Sequence, residues 1–376
     1  MTHDYLIEAL APLVFRSGKP FGAQAGADGA AFPLPSSLAG LLRTLHADQH
    51  QLDFSCELRQ IVSAGPLLAR RALDGGIVPL LPKPADALYL RHEGSIQVIR
   101  LSPGKLPPDS GCDLRPDLLP VRMSQTIDGK PAPGPQYWPL ASLQSWSAGA
   151  PVAFETLHAQ GLDALPAEQR THVALDDETL AADEGRLFQT GGIDLAAHRH
   201  AQGWQEQDLV FLARSAARVD KTLATFGGER RLSRLHPSPV SHWPRPPDGL
   251  EAGIRAQRGL RLTLVTPAIF SGGHLPGWLD ARTLTGSPPG YPDFRVKLKA
   301  AAVERWLPVS GWDLATRKQR AMRKAVAAGA VYWFELQDEL PPGLVEALWL
   351  QPVSDHDQDR LDGFGLALPA PWNPTA

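Results

Sequence analysis

The sequence predicts an α+β fold, helices packed on antiparallel sheets, and three observations predict it. Proline and glycine account for 36 and 34 of the 376 residues, so loops are many and long helices few. Strand-like runs recur along the chain, and the strongest, "LRLTLVTPAIF" at 260–270, begins with strict apolar alternation. The clearest helical stripe is Leu38, Leu41, Leu42 and Leu45, with the i, i+3, i+4, i+7 spacing of a helix lying on a sheet. Few helices, many strands and local β-α units give layers of this kind. The length allows two domains, and no repeat of fixed period is visible.

Taken in order, "YLIEALAPLVF" (5–15) reads as the first strand. A helix follows from Ser36 or Ser37, either of which is a good N-cap. Gly40 inside that helix costs about 1 kcal/mol relative to alanine, a cost that a close backbone approach would explain. "IVSAGPLL", "GIVPLLPKPADALYL" and "SIQVIRLSP" read as short strands. The proline-rich stretch from Pro103 to Pro139 excludes a central strand or a helix. Cys56 to about Leu165 is therefore expected to be a large insertion between elements of one domain. Regular signals return with "THVALDD", "GRLFQTGGIDL" and "DLVFLARSA". "VDKTLATFGGERRLSRL" predicts a helical turn or two ending at Gly227-Gly228. "HPSPVSHWPRPPDG" (236–249) is the best linker and sets the domain boundary. Beyond it, "FRVKLKAAAVERW", "AVYWFEL" and "FGLALPAP" read as strands. "ATRKQRAMRKAVAAG" (315–329) reads as a basic helix with Arg317, Arg320 and Lys324 on one side.

The formal net charge of −3 argues against a chain that coats nucleic acid indiscriminately, and it leaves room for a local basic groove. Cys56 and Cys112 are too few for a disulfide scaffold or a zinc finger, so a reducing cytoplasm is expected. The N-terminus has no basic region followed by a long apolar run. No apolar run reaches the ~18–20 residues of a membrane helix, so no membrane partner is expected.

Two stretches have the chemistry to hold an anion. In "FRSGKPFGAQAGADGAAFPLPSSLAGLLR" (15–43), Arg16 and Lys19 precede a small-residue loop containing Gly22. Ser36 and Ser37 stand at the helix start and Arg43 lies farther on. A helix N-terminus offers unpaired N–H groups and the positive end of its dipole. The Gly-Lys-Ser/Thr ending of a P-loop is absent, and a plain surface loop before a capped helix is the competing reading. In "FGGERR" (226–231), Gly227 and Gly228 open backbone conformations closed to other residues, and the forks of Arg230 and Arg231 suit phosphate. A β-turn with exposed charge competes there. His46 and His50 have the i, i+4 spacing of helix-borne metal ligands, but no Glu or Cys accompanies them, so surface histidines are expected. The acids of "DDE" at 176–178 and Asp183-Glu184 surround a hairpin turn. "SGGHLPGWL" (271–279) matches no nucleotide fingerprint, and no nucleophile motif is present. No metal and no cofactor are expected.

Taken together, "PLVFRSGKPFG…FPLPSSLAGLLR", "GPLL…PLLPKPADALYL", "ALDDETLAADEGRLFQT", "FGGERR", "AVAAGAVYWFEL" and "GFGLALPAPW" resemble, in this order and nearly end to end, the third-subunit family of Cmr-type (type III-B) CRISPR effector complexes, within the RAMP superfamily. The resemblance implies two ferredoxin-like (RRM-like) domains with large insertions. These are 1–245, carrying the insertion at about 56–165, and 246–376. It places "THVALDDETLAADEGRLFQT" as a hairpin and "FGGERR" near the closing strand of one domain. It also implies a thumb-like hairpin, expected within 56–165. The family's Pro-Ala-Gly-Ser before the Val-Tyr strand is altered here, with Ala327 and Ala330 in place of its Pro and Ser.

The role that the resemblance implies is a non-catalytic RNA-binding scaffold in antiviral defence. It holds the 5′ tag of the CRISPR RNA and contacts the large polymerase-like subunit and the first copy of the repeating backbone subunit, with target RNA nearby. Arg16, Lys19, Arg230 and Arg231 are the expected phosphate ligands, with Ser36 and Ser37 at the helix start. Trp138, Trp243 and Tyr137 are candidate stacking platforms. Two alternatives stand beside this reading. One is a RAMP endoribonuclease using His46 as general acid or base, and the other is a protein–protein adaptor whose basic residues are incidental.

Overall fold

The computed structural model describes residues 2–15, 31–72, 75–196, 209–313 and 318–375. The first elements are β1 (His3–Ala9), α1 (Pro35–His50), a 3-10 turn Cys56–Gln60, β2 (Ser63–Arg71), β3 (Ile77–Pro82), β4 (Ala87–His92) and β5 (Ser95–Pro103). The proline-rich span holds short pieces, β6 (Val121–Met123), β7 (Lys130–Pro131) and β8 (Tyr137–Pro139), followed by α2 (Leu140–Ser147) and α3 (Phe154–Gln160). Then come β9 (Ala167–Leu175), β10 (Ala182–Ile193), β11 (Leu209–Ser215), β12 (Thr222–Thr225) and β13 (Leu232–Pro237). Next are α4 (Leu250–Gln257), β14 (Gly259–Leu264), β15 (Thr285–Gly286), β16 (Val296–Ala302), β17 (Leu307–Asp313) and β18 (Lys318–Ala325). The chain closes with β19 (Val331–Leu336), α5 (Leu344–Leu348), β20 (Gln351–Pro352), α6 (Asp357–Asp362) and β21 (Leu366–Pro371). The fold is α+β with mostly antiparallel sheets and few helices.

Two compact units share the chain: residues 1–77, 165–242 and 308–323, and residues 78–164, 243–307 and 324–376. The chain passes from one to the other at His242–Trp243, inside the 236–249 stretch, and residues 78–164 fold with the C-terminal segments.

In the first unit, neighbouring strands run β12-β13-β1-β11-β2, all antiparallel. Counting β1, β2, β11 and β13 as first to fourth, the order is 4-1-3-2. Helix α1 makes the crossover from β1 to β2, a split β-α-β arrangement. Its buried face is Leu38, Ala39, Leu42 and Ala47. The second unit repeats the order. Its sheet runs β15-β16-β19-β14-β21-β20, so β14, β16, β19 and β21 also lie 4-1-3-2, read from the far edge. Leu260, Leu262, Tyr332 and Phe334 anchor its core.

A buried ion pair explains why residues 78–164 belong with the C-terminal sheet. Asp86 and Arg261 are 2% and 3% exposed. The Asp86 carboxylate accepts from Arg261 Nη2 at 2.8 Å and from Trp146 Nε1 at 2.9 Å. Arg261 Nη1 donates to Ser147 Oγ at 2.8 Å and to Thr263 Oγ1. The Arg100 guanidinium lies 3.7 Å over the Trp146 ring. Burial lowers the Arg100 pKa to about 10, with Arg261 pushing the same way against the opposing pull of Asp86.

Several local expectations are corrected. Helix α1 starts at Pro35 with Leu34 as N-cap and no side-chain cap. The fixed φ of proline suits the first helical position, so Ser36 and Ser37 fall inside the first turn. Gly40 has nothing within 4 Å of where a Cβ would stand, so no close approach accounts for it. Residues 222–237 form a hairpin and not a helical turn. Left-handed φ at Gly227 (87°), Glu229 (56°) and Arg230 (51°) builds its turn, and Phe226 N–H to the Arg231 carbonyl at 3.0 Å closes it. The basic stretch is strand β18, paired with β17, since strand pairing overrides even a strong local helical propensity. Arg317 lies outside the described residues. No helix among the described residues is long and apolar enough to cross a membrane.

Removing one partner of a buried pair leaves an uncompensated charge and costs about 3–5 kcal/mol. Asp86→Ala is therefore expected to lower the unfolding free energy of the second unit by that amount in urea titrations. A loss below ~1 kcal/mol would mean the pair is not what joins residues 78–164 to β14.

Candidate nucleic-acid interface

Past β1 the chain is held at one end of the first unit's sheet. Leu13 bridges Ile193 through reciprocal N–H to carbonyl bonds of 2.8 and 2.7 Å. One residue on, Gly228 N–H donates to the Val14 carbonyl at 2.7 Å. Leu13–Phe15 thus runs between the base of the β9–β10 hairpin and the 226–231 turn. The Phe15 ring meets Phe226 edge-on at 5.0 Å, and Phe226 meets Phe211 at 6.1 Å. Phe211 in turn receives Phe32 at 5.5 Å and 90°. Edge-to-face pairs contribute about 0.5–1.5 kcal/mol each beyond burial. Phe15 and Phe32 flank 16–31 in sequence, so one aromatic row fixes both ends of that stretch. Arg16, Lys19 and Gly22 fall outside the described residues.

The turn requires its first glycine. Gly227 has φ 87°, and a Cβ there would stand 2.6 Å from the Val14 carbonyl oxygen. Gly228 supplies the N–H of the bridge. Arg230 is exposed. Arg231 is partly buried, with Nη2 donating to Glu229 at 2.7 Å and a buried Nε that has no partner. Arg170 on β9 pairs with Glu168 at 2.7 Å and lies in the field of Glu229 and Asp194. Three arginines and three acids therefore meet at this end of the sheet, with Arg230 the exposed one of the two turn arginines.

Other expected ligands take structural roles. Arg43 is buried, and its Nε and Nη2 donate to the Ile61 carbonyl at 3.1 and 2.7 Å, which keeps it inside the fold. Ser36 and Ser37 are partly buried in the first turn of α1, and Ser37 N–H already bonds the Leu34 carbonyl at 2.9 Å. Trp138 is fully buried and donates to Tyr89 Oη at 2.7 Å. Trp243 is buried as well, and Tyr137 is half-buried on β8. Neither tryptophan offers a free face. His46 Nδ1 lies 2.9 Å from the Arg218 carbonyl, and His50 Nδ1 lies 2.9 Å from the His46 carbonyl. No cluster of three or more His, Cys, Asp or Glu residues suited to a metal occurs among the described residues.

The extended hairpin of the first unit is β9–β10, outside the 56–165 span in which a thumb was expected. Val173 pairs with Leu187 across it, and both are exposed, as are Leu175 and Leu180. Its turn is set by Asp176, which accepts from Thr179 N–H and hydroxyl and from Glu178 N–H. These bonds, those of Thr179 foremost, hold the Asp176 carboxyl below the usual carboxylate range. Neither the Val14–Gly228 bridge nor the reach of this hairpin has a local sequence signal.

The geometry defines a chain of two antiparallel-sheet units with an arginine- and glycine-bearing turn clasped against the first strand's continuation. A family model described as "CRISPR-associated protein (Cas_Cmr3)" matches residues 5–372, and the chain belongs to that family. No curated protein matches. A chain from a cryo-EM structure of the Type III-B Cmr-beta bound to cognate target RNA is similar at 14% identity and TM-score 0.48, covering 96% of this chain and 95% of that one. A second, from that assembly bound to cognate target RNA and AMPPnP in state 1, is similar at 14% identity and TM-score 0.44, covering 88% and 86%.

Glu8 on β1 faces Arg71 at 3.2 Å, Arg234 at 3.1 Å and His236 at 3.4 Å. Burial raises its pKa, yet Arg71, His236 and Arg234 together outweigh burial and leave it lowered. A carboxyl depressed on folding adds stability above its unfolded pKa of about 4.3, and this stability is lost as pH falls through the folded value. Glu8→Gln should accordingly flatten the acid limb of the first unit's stability curve. Identical acid limbs for variant and wild type would remove Glu8 from the account.

Proposed function

We propose that the protein is the non-catalytic RNA-binding scaffold subunit of a type III-B Cmr effector complex, acting in antiviral defence. In this reading it holds the 5′ tag of the CRISPR RNA and contacts the large polymerase-like subunit and the first copy of the repeating backbone subunit. Family membership over 5–372 supports the assignment to such a complex. The observation that carries the RNA role is the Val14–Gly228 pairing. It brings the chain leading into Arg16 and Lys19 beside the turn bearing Arg230, although the two stretches are about two hundred residues apart in sequence. Single-stranded RNA is held by backbone charge and by bases stacked on flat side chains.

The shared 4-1-3-2 strand order supports reading both units as ferredoxin-like. In the first, α1 supplies the first crossover. In the second, α5 and α6 lie in the connection from β19 to β21. An endoribonuclease is the weaker reading. Metal-independent cleavage needs an acid and a base flanking the 2′-OH, while His46 and His50 each hold a backbone carbonyl at Nδ1.

Arg230→Ala is the clean test, because Arg230 is exposed and surface substitutions change stability by within ~0.5 kcal/mol. In complexes assembled with this variant, the salt slope of RNA release should fall by about 0.7 for the lost phosphate contact. Co-purifying CRISPR RNA should decrease, and its length distribution should be unchanged by His46→Ala. An unchanged salt slope and RNA yield with Arg230→Ala would count against the assignment.

A further inference from the structure

We propose that the outward face of the β17–β18 ribbon is a second platform for single-stranded RNA, with Trp312 stacking a base and Lys318 meeting the backbone phosphates. The proposal rests on the RNA-binding role proposed above but uses none of its residues. Strand alternation sorts the ribbon into two faces. Val309 and Ala325 are buried on one. Lys324 lies 5.1 Å over the Trp306 ring, which fixes the parity of the other, so Trp312, Lys318 and Met322 share it. Trp312 is 59% exposed and Met322 53%. A large indole left in water is a surface that normally finds a partner.

Charge decides which partner. Residues 318–324, "KQRAMRK", carry four cations and no acid in a chain of net charge −3, so the excess is local. The acid nearest in sequence, Asp313, is paired with Arg59 at 3.4 Å. An aromatic face flanked by cations suits a polyanion whose every unit has a π-face. Protein interface cores are enriched in Trp, Met and Arg but depleted in Lys, so the two lysines, Lys318 and Lys324, are what favour a polyanion over a protein partner.

The test uses the full chain and a labelled 15-residue oligouridylate, read by anisotropy and by quenching of indole fluorescence. Trp312→Ala should weaken binding about tenfold, within the range for one lost stack, and Trp312→Tyr should retain most of the affinity. Lys318→Ala should lower the salt slope by about 0.7. Thermal melting of each variant checks that the fold is intact, and Trp312→Tyr keeps the ribbon aromatic if Trp312→Ala melts early. Wild-type affinity and slope for Trp312→Ala and Lys318→Ala would overturn the platform. If Arg230→Ala still weakens binding in the same assay, the first interface stands alone, and if no variant weakens it both readings fall. Loss of another subunit from complexes carrying Trp312→Ala, with RNA binding unchanged, would make this face a protein-docking surface and overturn the proposal.

Discussion

The carbonyl of Val14 occupies the space that any side chain at position 227 would need, and one end of the first unit's sheet is built around that constraint. With glycine at 227, the β12–β13 turn closes against the continuation of β1, and Gly228 N–H completes a bridge at 2.7 Å. Phe15 is then placed over Phe226, and the row through Phe211 to Phe32 follows. Phe15 and Phe32, on either side of 16–31 in sequence, are thereby joined in one aromatic row.

The second unit depends on a polar constraint of a different kind. Asp86 and Arg261 are each too costly to bury alone, so the chain at 86 and the first strand of the C-terminal sheet must meet. Trp146, Ser147 and Thr263 complete the network. A further close approach lies in the same unit, where a Cβ on Gly329 (φ 92°) would stand 2.5 Å from the Lys83 carbonyl. Of the family's Pro-Ala-Gly-Ser, the glycine is what this geometry requires, and alanine at 327 and 330 leaves the turn intact, with Ala330 N–H on the Ala327 carbonyl at 3.3 Å.

Much of the fold was legible because strands declare themselves by alternation. β5, β11, β19 and β21 fall within runs that the sequence marks, and β2, β4, β9 and β14 overlap such runs. What failed did so where pairing or burial overrides local pattern. Residues 315–329 contain no proline and are rich in alanine, arginine and lysine, which reads as helix, yet β18 pairs with β17. Trp138 and Trp243 look like platforms only until burial is known, while Trp306 and Trp312, indoles that do stand in water, are not told from buried ones by their local sequence. Arg43 has the charge of a phosphate ligand and is consumed by the Ile61 carbonyl. The clasp between 14 and 228 joins residues too far apart for any window to connect, and only the resemblance to a family placed both candidate stretches in one domain.

The central claim is that the start of the 16–30 stretch and the 227–230 turn form one RNA-binding surface. Photo-crosslinking of the assembled complex, with a photoreactive uridine placed in turn at each nucleotide of the CRISPR RNA 5′ end, tests it most directly. The account predicts that the same tag nucleotides crosslink to peptides containing Arg16–Gly22 and to peptides containing Gly227–Arg231. Tag crosslinks confined to other subunits, or to peptides of this protein remote from both stretches, would contradict it.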